Sequence, residues 1–196
     1  MQVASIVPSS RAMIKKVASK FDFSQPRIIV EFGPGEGCHT REIVERMHPD
    51  SRLLLFELDA ELAEHLEEQF RGDPRIEVLN TDAQRLPQEL ALRGLPFCDY
   101  VLSGIPFSVL EIGKKRQLLR SVFDSLQPMP SSAFIIYQVT NELRQHATLF
   151  PRVQSEYWLQ NIPPMFITVF FKEALNGHAN GLHANGLQTA NGVVHK

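Results

Sequence analysis

The chain has 196 residues, of which 43% are hydrophobic and 21% are charged, and its formal net charge is -2 at pH 7. This length has room for one globular core, and the composition excludes a fibrous or wholly disordered protein. The balanced charge provides no general attraction for nucleic acid or anionic lipid, so such a partner would need a local basic patch.

Targeting and metal-binding signals are weak along the chain. Residues 1–10 lack the charged start and apolar run of a secretory signal, and no segment approaches the ~18 apolar residues of a membrane span. Cys38 and Cys98 lie far apart, without the spacing of metal ligands. We therefore expect a cytoplasmic protein with no membrane span and no metal site.

The first predicted element is a basic, amphipathic helix within residues 1–24. Its basic and apolar residues recur at helical spacing on opposite sides: Arg11, Lys15, Lys16 and Lys20, against Met13, Ile14, Val17 and Phe21. Such a helix can lie in a membrane interface and contact anionic head groups. It can equally pack as a lid with a solvated basic face, and the sequence leaves both alternatives open.

Six apolar stretches then predict strands, several of which barely alternate, as strands buried on both faces do. They are residues 28–32, 53–58, 76–79, 100–102, 133–139 and 166–171. Apolar residues at helical spacing predict helices around 43–47, 62–70 and 118–126. This alternation predicts an α/β fold with a Rossmann-like, doubly wound, mostly parallel sheet. Because the alternation stops after Val139, we expect an antiparallel C-terminal strand.

The predicted domain spans residues 25–174 and is followed by a tail of residues 175–196. The tail repeats Asn, Gly, His and Ala imperfectly and is too polar to bury a core. We expect it to be disordered, with metal binding by its histidines as the alternative.

A glycine-rich loop closes the first predicted strand, where residues 31–37 read Glu-Phe-Gly-Pro-Gly-Glu-Gly. Nucleotides bind at this end of a strand in α/β folds. The dinucleotide fingerprint would need glycine at position 38 or 40, which are Cys38 and Thr40, and a phosphate loop would need a lysine. Acidic residues favour a cationic ligand instead, and S-adenosylmethionine carries an ammonium and a sulfonium. We predict this cofactor, with an empty strand-to-helix turn as the alternative.

Several residues are predicted to form the cofactor site. The loop glycines, which let the backbone approach a ligand closely, are Gly33, Gly35 and Gly37. Glu57, at the end of the second strand, is placed to accept hydrogen bonds from ribose hydroxyls; Asp59 is its competitor or a helix N-cap. Asp82, after the third strand, is placed to accept from the adenine amino group, with a loop or cap role as the alternative.

Together these motifs resemble class I S-adenosylmethionine-dependent methyltransferases. Within that superfamily, residues 6–11, 103–107 and 161–164 resemble segments of bacterial phospholipid N-methyltransferases, and the resemblance covers about residues 3–172. It implies stepwise methylation of phosphatidylethanolamine toward phosphatidylcholine by an enzyme peripheral to the membrane. It also implies that Glu31, Ala83 and Ser103 belong to the cofactor site.

The rRNA adenine dimethyltransferases are related in pattern and carry Asn-x-Pro-Tyr or Asn-x-Pro-Phe after the fourth strand. Here Gly104 replaces that Asn, and a glycine has no side chain to hold the amine of an extruded adenine. We therefore expect that nucleic acid is not the substrate. An rRNA adenine, a small-molecule amine and a non-catalytic cofactor-binding module remain alternatives.

The predicted acceptor site contains Tyr137 and Phe107, which we expect to flank the amine. Tyr137 lies near the end of the fifth strand and can hydrogen-bond an amine or simply pack in the core. Aromatic faces stabilise the permanent cation that methylation produces, and Tyr157 and Trp158 are further candidates. The basic residues 114–116 are predicted to meet a lipid phosphate or to be merely exposed.

Overall fold

A computed structural model describes residues 9–173 of the chain, and within them seven strands form one sheet. The strands are β1 (Ile28–Phe32), β2 (Arg52–Glu57), β3 (Ile76–Asn80), β4 (Tyr100–Ser103), β5 (Ala133–Gln138), β6 (Arg152–Trp158) and β7 (Met165–Phe171). Their order in the sheet is β3-β2-β1-β4-β5-β7-β6. The predicted tail, residues 1–8 and the part of the 6–11 motif within them lie outside the described residues.

Parallel pairing joins the first five strands, and β7 pairs antiparallel with both β5 and β6. The prediction of a doubly wound, mostly parallel sheet with an antiparallel C-terminal strand is confirmed. The predicted strands agree with those of the structure to within one or two residues. Strand β6 was not predicted as a full strand because polar Gln154, Ser155 and Glu156 interrupt its apolar pattern, which is typical of an edge strand.

Within residues 9–173, five α-helices connect and cover the strands: α1 (Arg11–Ala18), α2 (Cys38–Arg46), α3 (Ala60–Gln69), α4 (Leu86–Leu92) and α5 (Ile112–Ser125). Asp59 is the N-cap of helix α3, and its carboxylate accepts the N–H groups of Glu61 and Leu62. This N-cap was the alternative role for Asp59. Helix α4 escaped prediction because its seven residues are too short for a clear helical period.

Two apolar cores lie on the opposite faces of the sheet. Helices α4 and α5 cover one face, whose core includes Val30, Leu54, Val101 and Phe134. Helices α1, α2 and α3 contribute to the other core. The strands supply alternate residues to the two cores because successive side chains on a strand point to opposite faces.

Helix α1 uses its apolar side within the protein. Met13 and Val17 are buried in the core that α2 and α3 share. On the polar side, Lys16 and Lys20 form ion pairs with Glu156 of β6, at 3.1 and 2.5 Å. The structure therefore favours the packed alternative for this helix, since its apolar side is not free to enter a membrane. Every helix within residues 9–173 is too short or too polar to traverse a lipid bilayer.

Candidate active site

The carboxyl ends of the parallel strands meet at one edge of the sheet. Phe32 aligns with Phe56 of β2 and with Ser103 of β4, and Ser103 aligns with Ile136 of β5. Because β7 runs antiparallel to β5, the connection between β6 and β7 returns to this same edge. The loops that follow these strands therefore surround one cleft.

The glycine loop crosses the ends of β1 and β2 in a conformation that other residues avoid. Gly33, Gly35 and Gly37 all have positive φ angles, of 61°, 57° and 73°, in the left-handed region that glycine adopts without a steric penalty. The N–H of Gly33 donates to the carbonyl of Phe56 at 2.8 Å, and Gly37 begins α2. The loop leaves its backbone open to a ligand.

Glu31 is a buried carboxyl group beneath this loop. The hydroxyl of Thr40 donates to Glu31 Oε2 at 2.7 Å, and Glu31 has no cationic partner among residues 9–173. Burial, together with the nearby Glu57, raises the pKa of Glu31 to about 7. Thr40 was not predicted as a site residue; its position in the first turn of α2, after the glycine loop, was the available signal. Such a carboxyl group is prepared to accept a ligand cation.

Glu57 braces the loop from the end of β2. Its Oε2 accepts the N–H of Gly35 and its Oε1 accepts the N–H of Asp59, both at 3.1 Å. A cavity of about 270 Å³ opens beside Glu57. Of the predicted cofactor residues, this cavity is lined by Gly33, Glu57, Asp82 and Ala83.

The cavity combines acidic and apolar walls. Asp82 is exposed, and its Oδ1 accepts the N–H of Gln84 at 2.8 Å, so it caps the short 3₁₀ turn that follows. Ile105, Leu110 and Leu118 form the apolar side. Hydrogen-bond acceptors facing apolar side chains suit a nucleoside, which has polar edges and flat faces.

Gly104 lies where no side chain fits. A Cβ on Gly104 would lie 2.8 Å from the carbonyl oxygen of Gly33 and 2.8 Å from the hydroxyl of Tyr137. Ser103 is fully buried, and its hydroxyl accepts the N–H of Ile105 at 3.2 Å. The chain therefore passes close under the glycine loop, and Ser103 shapes the turn rather than lining the cavity.

Tyr137 and His39 pack together beside this turn, with ring centroids 4.3 Å apart and ring planes inclined by 33°. His39 Nε2 lies 3.1 Å from the hydroxyl of Ser9. Burial lowers the pKa of His39 to about 4 and raises the pKa of Tyr137 well above its usual value. Both rings are therefore neutral near pH 7. Sequence reasoning missed His39; its place directly after the glycine loop was the signal.

The predicted pairing of Phe107 with Tyr137 needs correction. Phe107 is fully buried in the core beneath α5, where its ring centroid lies 6.0 Å from that of Phe134. Tyr137 packs against the core on the opposite face of the sheet. The two side chains do not flank one acceptor position, because the turn after β4 directs Phe107 into the core.

The other aromatic candidates already have neighbours. Lys16 Nζ lies 5.1 Å from the ring centroid of Trp158, and Tyr157 packs on Phe166 with centroids 4.7 Å apart. Tyr137 differs from them in that its hydroxyl lies next to Gly104, under the glycine loop.

Comparisons with known sequences find methyltransferases. The family model described as ribosomal RNA adenine dimethylase matches residues 9–90. An ornithine lipid N-methyltransferase of Singulisphaera acidiphila is 30% identical over 162 residues, which are 83% of this chain and 84% of that protein. A probable ribosomal RNA small subunit methyltransferase A of Methanospirillum hungatei is 33% identical over 113 residues, which are 55% of this chain and 42% of that protein.

Solved structures share the architecture. A precorrin-6y C5,15-methyltransferase of Geobacter metallireducens has a TM-score of 0.65 at 14% identity, over 88% of this chain and 94% of that one. The N-methyltransferase NodS of Bradyrhizobium japonicum has a TM-score of 0.63 at 9% identity, over 83% and 96%. The fold is that of class I methyltransferases that use S-adenosylmethionine. Because the match to the Singulisphaera protein extends over most of both chains, this chain belongs to the same S-adenosylmethionine-dependent methyltransferase family. The predicted enzyme class and cofactor are therefore confirmed.

The residues at the cleft fit this cofactor. S-adenosylmethionine, when bound, supplies a methyl group that its sulfonium has already activated. Glu31 is a buried carboxyl group without a cationic partner among the described residues, which an ammonium would satisfy. The glycine loop presents open backbone, and Glu57 and Asp82 border a cavity with apolar walls.

Proposed function

We propose that this enzyme methylates the amine of a membrane lipid, working as a peripheral protein at a membrane surface. Phosphatidylethanolamine, methylated toward phosphatidylcholine, is the leading substrate. The observation that carries the proposal is the extent of the match with the Singulisphaera ornithine lipid N-methyltransferase, which spans 83% of this chain and 84% of that protein. An ornithine lipid is the second candidate because of that same relative.

The space around Gly104 supports an amine other than adenine. The resemblance to the rRNA adenine dimethyltransferases puts their Asn at this position, but the carbonyl of Gly33 and the hydroxyl of Tyr137 occupy the space of any side chain here. The polar atom next to the methyl-transfer position then comes from β5 rather than from β4. A small, flexible amine needs fewer contacts than a flipped base, which is held at its edge and on its faces.

In this proposal the loop and the strand ends divide the cofactor between them. Glu31 pairs with the ammonium, and Gly33, Gly35 and Gly37 border the methionine portion. The ribose hydroxyls donate to Glu57, and Asp82 and Ala83 border the adenine. Ser103 acts indirectly, because its hydroxyl holds the Ile105 turn that walls the cavity.

The acceptor amine must be neutral to attack a methyl group. A buried site lowers the pKa of an ammonium because desolvation disfavours its charge. Tyr137 and His39 offer neutral polar atoms there, so the hydroxyl of Tyr137 orients the amine and His39 holds the tyrosine ring. Alignment and water exclusion are then the main requirements for the transfer.

A labelled-methyl assay tests this proposal. The purified full-length enzyme is incubated with methyl-labelled S-adenosylmethionine and, separately, with vesicles that contain phosphatidylethanolamine, vesicles that contain an ornithine lipid, ribosomal RNA, or free ethanolamine. We expect thin-layer chromatography to show label in phosphatidylethanolamine, and label in the ornithine lipid alone would select the second candidate. Label in RNA or free ethanolamine, or cofactor binding without any methylation, would contradict a lipid substrate.

A further inference from the structure

Exposed apolar side chains gather at the edge of the sheet that holds the cleft. The apolar rim consists of five side chains that are more than half exposed: Val109, Ile112, Val139, Leu159 and Ile162. Val109 and Ile112 follow β4, Val139 follows β5, and the other two lie in the β6–β7 connection. Strand pairing places these three connections side by side. The rim thus lies at the same edge of the sheet as the cleft.

Arg11, Lys114 and Arg144 are exposed cations near the apolar rim, and no salt bridge within residues 9–173 involves them. Lys114 lines the cavity beside Glu57. Arg11 starts α1 next to Ser10, whose N–H donates to Asn161 Oδ1 at 2.8 Å, so it lies beside the β6–β7 connection. The connection that contains Arg144 is tied to the start of α5 by the ion pair of Glu142 with Lys115, at 2.6 Å.

The charge of this region is unbalanced toward the positive. In the connections that carry the apolar rim, the carboxylates are Glu111, which is exposed, and Glu142, which pairs with Lys115. At the opposite edge of the sheet, two arginines are paired with carboxylates. Arg27 pairs with Asp22 at 2.7 Å, and Arg93 pairs with Glu77 at 2.5 Å.

We propose that the apolar rim and its three cations dock on an anionic lipid bilayer, so that a lipid amine enters the cleft directly from the membrane. Apolar side chains enter the boundary between head groups and acyl chains, and cations face the anionic head groups. A bilayer suits this surface because the exposed apolar groups, the unpaired cations and the cleft all share one edge. The docking surface rests on the proposed lipid substrate. Of helix α1 it uses only Arg11, because the apolar side of that helix is buried.

Vesicle flotation with the full-length protein tests the docking surface. The vesicles contain phosphatidylcholine with or without phosphatidylglycerol. The double variant Val109→Ser/Ile162→Ser should bind anionic vesicles at least roughly tenfold more weakly, because two apolar side chains lose their insertion. Arg144→Gln should weaken binding about fivefold at low salt. The matched controls are Leu92→Ser, a leucine 74% exposed on the opposite edge, and Arg120→Gln, which pairs with Asp124 on α5; both should bind like the wild type.

A second measurement separates the docking surface from the lipid substrate. The double variant should lose methylation of phosphatidylethanolamine in vesicles yet retain methylation of its short-chain, water-soluble dihexanoyl form, and this retained activity shows that it is folded. If the wild type methylates neither form, the proposed substrate is wrong. If the double variant binds vesicles like the wild type, the docking surface is wrong. A change from dimer to monomer in ultracentrifugation, with vesicle binding intact, would instead make the rim a contact between copies of the chain.

Discussion

Glu31 combines deep burial with a pKa of about 7, so its charge depends on pH in the physiological range. A bound ammonium favours the ionised form of the Glu31 carboxyl group. Where Glu31 is protonated before binding, it therefore releases its proton when the cofactor binds. The glycine loop provides the shape of the site, whereas Glu31 provides charge. Its role in binding is testable without any knowledge of the methyl acceptor.

We expect the affinity for S-adenosylmethionine to increase up to roughly twentyfold between pH 5.5 and 7.5, because Glu31 ionises over this range. Glu31→Gln should bind roughly tenfold more weakly at pH 7.5 and show little of this increase. Isothermal titration calorimetry in two buffers of different ionisation enthalpy measures both the affinity and the released proton. A variant with unchanged pH dependence would contradict the pairing of Glu31 with the ammonium.

His39 makes the folded protein less stable in acid. Its pKa of about 4 in the folded protein lies below the ordinary 6.5, so between these values the unfolded chain binds a proton that the folded protein does not. The contribution of neutral His39 to the free energy of unfolding is therefore fully present above pH 6.5. It is lost as the pH decreases toward 4, by on the order of 3 kcal/mol. His39→Asn should lack this part of the acid loss. Urea unfolding at several pH values measures it, and equal slopes for both proteins would argue against a buried neutral His39.

The hydroxyl of Tyr137 occupies the space that a side chain at position 104 would need. Gly104→Ala introduces a Cβ 2.8 Å from a backbone carbonyl and from the tyrosine hydroxyl, which should cost about 1 to 3 kcal/mol of unfolding free energy. Tyr137→Phe removes the hydroxyl, so the double variant should recover part of that loss. Unfolding of the single and double variants gives the coupling, and strictly additive costs would mean that the two residues are not in contact.

At the scale of elements, the β6–β7 connection holds the start of helix α1. Asn161 is buried, its Oδ1 accepts the N–H of Ser10 at 2.8 Å, and its Nδ2 donates to the carbonyl of Pro163 at 2.9 Å. The hydroxyl of Ser10 donates to the carbonyl of Gln160 at 2.7 Å. Because Ser9 contacts His39, these bonds join the last loop of the sheet to the wall of the active site.

Asn161→Ala should loosen the start of α1, because it leaves the partly buried N–H of Ser10 and carbonyl of Pro163 without this partner, at a cost of about 1 kcal/mol. Hydrogen exchange of the amides of residues 11–14 should accelerate, while the amides of β1 should remain protected. Ser19→Ala is a matched control, since it removes an exposed hydroxyl bond at the other end of α1. Equal acceleration in both variants would show that Asn161 does not anchor the helix.

At the scale of the whole molecule, the cofactor should stabilise the fold because its site joins the ends of several strands. A ligand at 100 times its Kd adds about 2.7 kcal/mol, which corresponds to an increase in Tm of roughly 5 to 10 °C for a protein of this size. Calorimetry should show this increase with S-adenosylmethionine and none with NAD or ATP. Stabilisation by either nucleotide at matched concentration would contradict the charge argument for the loop.

Local patterns in the sequence were sufficient for the sheet and the cofactor loop. The apolar stretches at residues 28–32 and 100–102 predicted β1 and β4, because continuous apolar strands arise only in a sheet that is buried on both faces. The spacing of the loop glycines, with Glu31 and Glu57 beside them, depends on backbone geometry and charge. Because these properties depend on short segments of the chain, they can be predicted from the sequence.

Only the tertiary structure decided which side chains meet. The contact of Tyr137 with His39 and Gly104 joins β5, α2 and the turn after β4, and the direction of Phe107 depends on that same turn. The sequence predicted the apolar side of α1, but it did not predict whether a membrane or the protein core buries that side. An apolar pattern specifies burial without specifying the partner, because the hydrophobic effect has no direction and packing among distant elements selects the contact.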